Sequence, residues 1–489
     1  MNPRLPSQVE IFRLKVVDRM RADPLTVRRD VPIDEAVARL AETGTSCVLI
    51  VDDADLPVGI VTERDVVTRI ALLADKTLPI EAVMTAPLKS VHPHDNLHQA
   101  VVKMRRAGLR HMPVLDDAGR AAGMMSLTEA LGVAASQTLE LIDMLVADDT
   151  AAALKEVKQA QIAIADTLFA DGVHADDIQQ ALSEINQDVM GRAIDICLDA
   201  MIEDGRGGPP VAFAVLIMGS AGRGESFLFP DQDNGFILDD YPDDRHTEID
   251  GWFIELAIRV TDMLNELGFV YCPGNVMATN PLWRKTRSQW IEQLKLWIRR
   301  DNLNLARLAD IFFDFRAVHG REDFAQSLRR TIVELMPRQQ RFLRDMYHDD
   351  ADGDVALGWF GRFITARSGE YKGKMNLKHQ GLLPLIAPVR LMALKHGIAA
   401  TSTRQRLDAL LDMGVLEADE HDYLRAAYRR LTDIVLRQQI GDFRAGAKVG
   451  YFVDPETLSR RERDMLIDGL KAVHRLRDRM KADLTGDIF

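Results

Sequence analysis

The chain has 489 residues, of which 47% are hydrophobic and 28% are charged, a composition typical of a soluble globular protein. Its length exceeds one ordinary core and predicts about three domains. The formal net charge of -13 argues against a non-specific nucleic-acid binder, which needs a basic surface to displace counterions. No stretch of about twenty apolar residues occurs, so we expect no membrane span.

The cysteine pattern favours a reducing compartment. Cys47, Cys197 and Cys272 are far apart in the sequence and odd in number. They predict neither a disulfide framework nor a zinc site. The N-terminal residues contain no apolar signal core, so we expect a cytoplasmic protein.

The first third of the chain is an internal repeat with a constant offset. Equivalent positions carry the same residue type: Val27 and Val91, Gly44 and Gly108, Gly59 and Gly123. Each copy has an amphipathic helix, at 33–43 or 97–107, followed by two strands and a second helix. One such unit buries little surface alone, so we expect the two copies to pack as a pseudo-dimer.

This repeat resembles a tandem pair of CBS domains, a Bateman module, over about residues 14–137. The resemblance is carried by GIVTERDV, RHMPVLDDAG and GMMSLTEAL, at 59–66, 110–119 and 123–131. In that family the clefts between the copies bind adenine nucleotides, which implies AMP, ADP or ATP as the ligand. Such modules often pair, which implies a homodimer.

The resemblance places the contacts to phosphate and ribose on Thr62 and Asp65, and on Ser126 and Glu129 in the second copy. A hydroxyl at a helix N-terminus favours an anion, and a carboxylate accepts hydrogen bonds from ribose hydroxyls. The alternative is that Thr62 is only an N-cap and Asp65 a favourable acid in the first turn.

Helical periodicity runs from Thr138 to about Asp204, with a break at Gly172. The second of these helices, at about 175–202, places Cys197 on its apolar face, so we expect a core cysteine. The linker either passes a signal from the repeat or is a plain spacer. GRGGPP, at 205–210, ends it.

A possible metal-nucleotide site follows this break. An apolar run at 211–218 predicts a buried strand and leads directly into Gly219 and Ser220. Asp231 and Asp233 precede a second apolar run, and on a strand they would share one face. Two adjacent carboxylates suit Mg²⁺, which brings substrate phosphates with it. The alternative is a polar turn, since Pro, Asp, Asn and Gly favour turns.

The ordered set GSAGRGE, DQDNG, YCPGNVMATNPLWR and FFDFRAVHG resembles the polymerase-beta-like nucleotidyltransferase superfamily. Its branch with the PII-uridylyltransferase and the CBS-linked DUF294 families is most similar, over about residues 140–480. The resemblance implies Mg²⁺ on Asp231 and Asp233, and a nucleoside triphosphate, ATP or UTP, cradled by Gly219 and Ser220. Arg223 would pair with phosphate or lock Glu225.

Two features depart from the family pattern. Gln232 and Asn234 replace the usual apolar residues after each acid, although DQDN looks usual in the CBS-linked group. Active members also supply a third carboxylate from a later strand, and the next apolar strand, 269–272, ends in Cys272 without an acid. Asp314 is the candidate substitute, or else simply pairs with Arg316.

The last third shows helical periods at 323–348, 354–366, 383–396, 403–413, 417–440 and 458–483. It resembles the substrate-binding helical domain of the same families. Lys378 and Arg390 could face the acceptor side of the cleft or lie on a charged helix surface.

The expected fold is therefore a multidomain α/β plus α protein. It comprises a tandem CBS module (1–137, copies at about 14–75 and 78–137), a helical linker (138–205), a nucleotidyltransferase domain (206–322) and a helical substrate-binding bundle (323–489).

The expected function is nucleotide-regulated transfer of AMP or UMP to a hydroxyl on a partner protein, possibly PII-like, in signal transduction. No nucleic acid or membrane is expected as a partner. The first alternative is a catalytically weak or inert CBS sensor acting through protein contacts. A second is a nucleotidyltransferase that modifies small molecules.

Overall fold

The computed structural model describes residues 14–73, 75–131, 150–170, 172–299, 310–350, 355–358 and 361–485. The chain forms two compact units, Met1–Asp148 and Asp149–Phe489. Within the described ranges, every helix is too short or too polar to cross a lipid bilayer.

The first unit holds the predicted repeat. Its strands are β1 (Arg21–Ala22), β2 (Thr26–Arg28), β3 (Cys47–Val51), β4 (Pro57–Thr62), β5 (His111–Leu115) and β6 (Ala121–Ser126). Its helices are α1 (Ile33–Thr43), α2 (Glu63–Thr68), α3 (Leu97–Arg106) and α4 (Leu127–Leu131). The strands form two sheets, ordered β2-β3-β4 and β1-β6-β5.

The two copies repeat even in strand register. Antiparallel pairing joins Cys47 to Thr62 in β3 and β4, and His111 to Ser126 in β5 and β6. Each pair has an irregularity before the last residue of its first strand. The copies also share an apolar cluster in which Cys47 and Leu49 pack with Met124. The predicted packing of the two copies is therefore observed.

The second unit begins with the linker helices α5 (Ala151–Ala170) and α6 (Ala175–Glu203). Gly172 lies between them with a positive φ of 75°, as the predicted break requires. Cys197 is 2% exposed, which confirms its core position. Residues 132–149, which include the end of the predicted CBS module and the start of the predicted linker, lie outside the described ranges.

The central sheet has the order β11-β9-β7-β12. Its strands are β7 (Phe213–Ile217), β9 (Asn234–Leu238), β11 (Arg284–Thr286) and β12 (Arg316–Gly320). β9 runs antiparallel to β7 and parallel to β11. β8 (Asp231–Gln232) pairs in parallel with β10 (Val270–Tyr271) in a separate small sheet. Between the strands lie α7 (Gly219–Arg223), α8 (His246–Glu266) and α9 (Arg287–Arg299).

The C-terminal bundle contains α10 (Glu322–Leu335), α11 (Gln340–Asp350), α12 (Leu383–Lys395), α13 (Thr403–Asp412), α14 (Ala418–Arg444) and α15 (Arg460–Thr485). A π-helical turn, Lys378–Leu382, precedes α12, and β13 (Met375–Asn376) pairs with β14 (Phe452–Val453). These helices confirm most of the predicted bundle.

Two predicted helices of the bundle differ from the structure. The span 323–348 is broken where Met336–Arg338 form a 3₁₀ turn containing Pro337, which cannot donate a helical hydrogen bond. The predicted helix at 354–366 is wrong for the described residues 355–358 and 361–366. There Leu357 pairs with Phe363 in an antiparallel bridge, and Gly361 has a positive φ of 73°.

Candidate active site

Gly219 makes the closest backbone approach to the predicted acid pair. Its φ is +58°, and a Cβ built on it would lie 2.6 Å from Oδ2 of Asp233. The Met218 amide just before it donates to the Asp233 carbonyl at 2.8 Å. Only glycine fits this turn without strain. The strand-to-helix turn with Ser220 therefore lies directly against Asp233.

Asp231 and Asp233 flank Gln232 where β8 gives way to β9. Asp231 lies close enough to Asp233 for its charge to act on that carboxyl. Burial raises the pKa of Asp233 to about 6, and the charge of Asp231 adds to this, while a hydrogen bond from Cys272 acts in the opposite direction. The two carboxylates thus form the pair that the sequence predicted.

Cys272 occupies the place where a third carboxylate was expected. β10 pairs Val270 with Asp231 and Tyr271 with Gln232, so the next residue along falls opposite Asp233. Burial, the charge of Asp233 and a hydrogen bond to it raise the pKa of the Cys272 thiol to about 12. The thiol is therefore protonated at neutral pH and acts as a neutral donor.

Gln232 and Asn234 are buried, and their hydrogen bonds fix the segment that carries Cys272. Gln232 Nε2 donates to the carbonyls of Thr261 and Phe269, at 3.0 and 3.3 Å. The Asn234 amide N–H donates to the Val276 carbonyl at 3.0 Å, and its Oδ1 accepts from the Ala278 amide at 2.8 Å. The polar residues that depart from the family pattern therefore have structural partners on both sides of Cys272.

Lys378 from the bundle faces the acid pair. Its amine lies 3.6 Å from Oδ2 of Asp231 and 4.7 Å from the ring centre of Tyr451. Burial would lower the pKa of Lys378, but Tyr451, Asp231 and Asp233 outweigh burial and raise it. The structure thus places Lys378 beside Asp231, and its acceptor-side role stays a prediction. Tyr451, in a sequence without a recognisable motif, was not predicted.

Asp314 lies in a buried cluster of arginines instead of at the acid pair. Its carboxylate is fully buried and lies 2.7 Å from Arg223, 2.7 Å from Arg390 and 2.6 Å from Arg406. Three guanidinium groups already balance this charge, so the placement does not fit the third-ligand role suggested from the sequence. Nor is Arg316 among these close partners. Among the described residues, no group of three His, Cys, Asp or Glu side chains is arranged to hold a metal.

The same cluster corrects the roles of two predicted binding residues. Arg223 is 6% exposed and its Nε donates to Glu225 at 2.7 Å, so it locks Glu225 and does not face phosphate. Arg390 is 2% exposed and pairs with Asp310 and Asp314, so it does not line the acceptor side.

Glu225 joins the nucleotidyltransferase segment to the bundle. Its carboxylate accepts from the amide and the hydroxyl of Thr403, at 2.5 and 3.1 Å, at the start of α13. An acid at a helix N-terminus satisfies amides that have no partner within the helix. The sequence motif included Glu225 but gave no sign of this distant partner.

In the first unit, the predicted ligand residues make local contacts. Thr62 and Asp65 form a capping box: Asp65 Oδ2 accepts from the Thr62 amide at 2.9 Å and from its hydroxyl at 2.7 Å. Glu129 accepts from Arg21 Nε at 3.0 Å. Ser126 ends β6 just before α4. The N-cap geometry of the alternative is thus observed.

Comparison with family models covers most of the chain. Residues 159–304 match the family described as "Putative nucleotidyltransferase DUF294", and residues 340–484 match "Putative nucleotidyltransferase substrate binding domain". Residues 15–72 and 80–136 each match the CBS domain. The nucleotidyltransferase match begins within the predicted linker, where α5 and α6 pack on the central domain.

Individual relatives match shorter parts. An uncharacterized protein of Methanopyrus kandleri is 32% identical over 115 residues, covering 22% of this chain and 59% of that protein. An uncharacterized 17.7 kDa protein of Acidianus ambivalens is 31% identical over 103 residues, covering 21% of this chain and 62% of that protein. The chain thus spans about three fifths of each of these relatives.

Solved structures of CBS proteins are also similar to part of the chain. One is a CBS domain protein from Pyrobaculum aerophilum complexed with AMP, with 24% identity, a TM-score of 0.23, and coverage of 24% of this chain and 89% of that one. A CBS-domain protein from Agrobacterium tumefaciens has 30% identity, a TM-score of 0.22, and coverage of 24% and 92%. Together, the family matches show that this chain belongs to the DUF294 family, with a tandem CBS pair preceding the DUF294 domain and its substrate-binding domain.

Proposed function

We propose that the second unit transfers AMP or UMP from ATP or UTP to a hydroxyl group, with Mg²⁺ as cofactor. The observation that carries this proposal is the acid pair itself. Asp231 and Asp233 lie together against the Gly219 turn, and the amine of Lys378 lies 3.6 Å from Asp231. Two carboxylates together with substrate phosphates are a usual ligand set for Mg²⁺, so the residues present fit the metal.

Asp231 and Asp233 would hold the metal with the triphosphate. Bound Mg²⁺ supplies charge neutralisation as pyrophosphate leaves. The Gly219 backbone and the Ser220 hydroxyl would contact the phosphates, and Lys378 would orient the incoming acceptor. The acceptor oxygen would form a bond to the α-phosphorus while the bond from the α-phosphorus to the leaving pyrophosphate oxygen breaks, and the proton of the acceptor hydroxyl would pass to solvent. Because Cys272 keeps its proton, it cannot be the general base, and transfer depends on positioning and electrostatics.

The acceptor in this proposal is a side-chain hydroxyl of a partner protein, possibly PII-like, and the protein acts in cytoplasmic signal transduction. Support comes from the large helical domain behind Lys378 and from the net charge of -13, which disfavours a nucleic-acid acceptor. The CBS pair would bind an adenine nucleotide near Thr62, Asp65, Ser126 and Glu129, and regulate transfer. A homodimer through this pair belongs to the same proposal.

The test is pyrophosphate release from labelled ATP or UTP with Mg²⁺ and candidate acceptors. We expect release by the wild type and its loss in Asp231→Asn. Asp239→Asn is the matched control. Asp239 directly follows β9, the strand that Asp233 precedes, and it pairs with Arg287 at 3.3 Å. Absence of release with either triphosphate across the acceptors would contradict the proposal.

One observation favours a second candidate function, a sensor without catalysis. Cys272 stands where active relatives are expected to carry a third carboxylate. In this case, CBS ligand binding would change a contact between the bundle and a partner protein. Normal cellular function of an Asp231→Asn, Asp233→Asn double variant would support the sensor, and its loss would support the enzyme.

A further inference from the structure

Lys158 on α5 is a buried cation with uncharged partners. Its side chain is 6% exposed and its amine donates to Gln161 Oε1 at 3.1 Å, Asn186 Oδ1 at 2.6 Å and the Leu228 carbonyl at 3.1 Å. The amine also lies 4.5 Å from the ring centre of Phe269. Burying an ammonium group is costly unless its donors are satisfied, so the position of each acceptor is coupled to the amine.

Two of these contacts reach the segments that carry the candidate active site. Leu228 lies in the loop that leads to Asp231, and Phe269 precedes the strand that leads to Cys272. The two segments are joined to each other where the Val270 amide donates to the Pro230 carbonyl at 3.2 Å. A single side chain of the linker helix therefore contacts both segments from behind the acid pair.

We propose that Lys158 is a positioning residue for the acid pair and that α5 is the element through which the linker sets the geometry of this site. The proposal rests on the proposed function, because it assigns a purpose to the placement of Asp231 and Asp233. α5 is the first described helix of the second unit in chain order. A shift of α5 withdraws the amine from the Leu228 carbonyl and the Phe269 ring together. The strand pair β8 and β10 then loses its support.

This arrangement gives the linker a role that a spacer would not have. A spacer helix needs only apolar contacts with its neighbours. Lys158 instead directs one hydrogen bond to the Leu228 carbonyl, three residues before Asp231, and a cation–π contact to Phe269, one residue before β10. Its other two hydrogen bonds hold the amine between α5 and α6.

The test compares Lys158→Met with two control variants on the same helix. Lys155→Met removes an exposed lysine, and Leu154→Ala removes a buried apolar side chain and lowers stability without touching the amine. Lys158→Gln, which keeps a donor, is the second variant should the methionine variant fold poorly. The first readout is hydrogen exchange of the Val270 amide, which needs neither metal nor turnover.

The second readout is the affinity of the protein for Mn²⁺ as a probe of the acid pair, with Asp231→Asn as the reference for loss. In Lys158→Met we expect faster Val270 exchange and about tenfold weaker Mn²⁺ binding, the usual effect of losing a residue behind a metal ligand. Both controls should retain wild-type values for exchange and affinity. Transfer assays should show reduced kcat with KM for the triphosphate little changed.

Wild-type exchange of Val270 in Lys158→Met would overturn the proposal. Equal changes in Leu154→Ala would also overturn it, because the effect would then be one of stability alone. If the wild type binds no Mn²⁺ above the level of Asp231→Asn, the proposed function fails instead. In that case the exchange readout decides by itself whether Lys158 fixes the two segments.

Discussion

The amine of Lys378 lies 3.6 Å from Oδ2 of Asp231, and this contact brings the helical bundle into the candidate active site. The ring of Tyr451 lies beside the same amine at 4.7 Å. A cation from one domain thus balances an acid pair on another. In the proposed function, triphosphate and acceptor would meet where these two domains face each other, a common place for ligand sites.

Replacing Lys378 with methionine should reduce transfer by about 100-fold in kcat, because the site loses a charge aimed at the reacting groups. Lys395→Met is the control, since this lysine lies at the other end of α12 and pairs with Asp483 at 3.9 Å. Steady-state kinetics and thermal unfolding would be measured together. Equal losses in both variants would contradict an active-site role for Lys378.

Gly219→Ala should destabilise the protein by about 1–3 kcal/mol and abolish transfer, because the new Cβ meets Asp233 at a positive φ. Gly251→Ala is the matched control, and its expected effect on stability has the opposite sign. Gly251 lies within α8 with open space around it, so the alanine should stabilise the helix by about 0.5–1 kcal/mol. Urea unfolding measures both changes. A Gly219→Ala protein with wild-type stability and activity would exclude the close approach described here.

Asp314→Asn should destabilise the second unit by about 3–5 kcal/mol, because it leaves three buried arginines without their shared carboxylate. The measurement is urea unfolding followed by fluorescence of the buried tryptophans Trp290 and Trp297. Mn²⁺ affinity of the folded variant should remain at the wild-type value. A stable variant that has lost metal binding would restore Asp314 as a metal ligand.

Lys158 should make stability depend on pH. Burial lowers the pKa of Lys158 from 10.5 to about 7. Between these values the unfolded chain binds more protons than the folded one, so this group raises the free energy of unfolding with pH, by up to about 1.4 kcal/mol per unit. Below about pH 7 the Lys158 amine is charged in both the folded and the unfolded chain, so the full cost of burying the charge lowers the free energy of unfolding. The stability of the wild type relative to Lys158→Met should therefore be lowest at pH 6 and should rise towards pH 9. A constant difference across this range would contradict the shifted pKa.

Asp65→Ala should weaken AMP binding and lower the stability of the first unit, because Asp65 closes the capping box on Thr62. Loss of such a cap costs about 0.5–2 kcal/mol. Calorimetric titration with AMP measures the change in binding. The control is Glu42→Ala, which removes an exposed acid on α1. AMP binding unchanged in a merely destabilised Asp65→Ala protein would leave Asp65 as a cap only.

Features that repeat or follow each other closely in the chain could be predicted from the sequence. The constant offset between the copies predicts the matched registers of β3–β4 and β5–β6. The apolar runs predict β7 and β9. The sequence also places Asp231 and Asp233 just before β9, and Cys272 at the end of the following apolar run.

Partners that are distant in sequence could not be predicted. Asp314 looked like a third ligand, because nothing near it shows that Arg223, Arg390 and Arg406 converge on its carboxylate. The sequence around Lys158 gives no sign that folding buries its amine. The polar Gln232 and Asn234 appeared as departures from a pattern, and their partners, at Thr261 and in the segment 269–278, come together only on folding.

The central claim is that Asp231 and Asp233 hold a metal on a nucleoside triphosphate. The most direct measurement is a crystal structure with Mg²⁺ and a non-hydrolysable analogue of ATP or UTP. We predict a metal between the two carboxylates, phosphates against the Gly219 turn, and the Cys272 thiol beside Asp233 without a bond to the metal. A triphosphate bound elsewhere, or a site that keeps the Lys378–Asp231 contact and excludes the metal, would contradict this account.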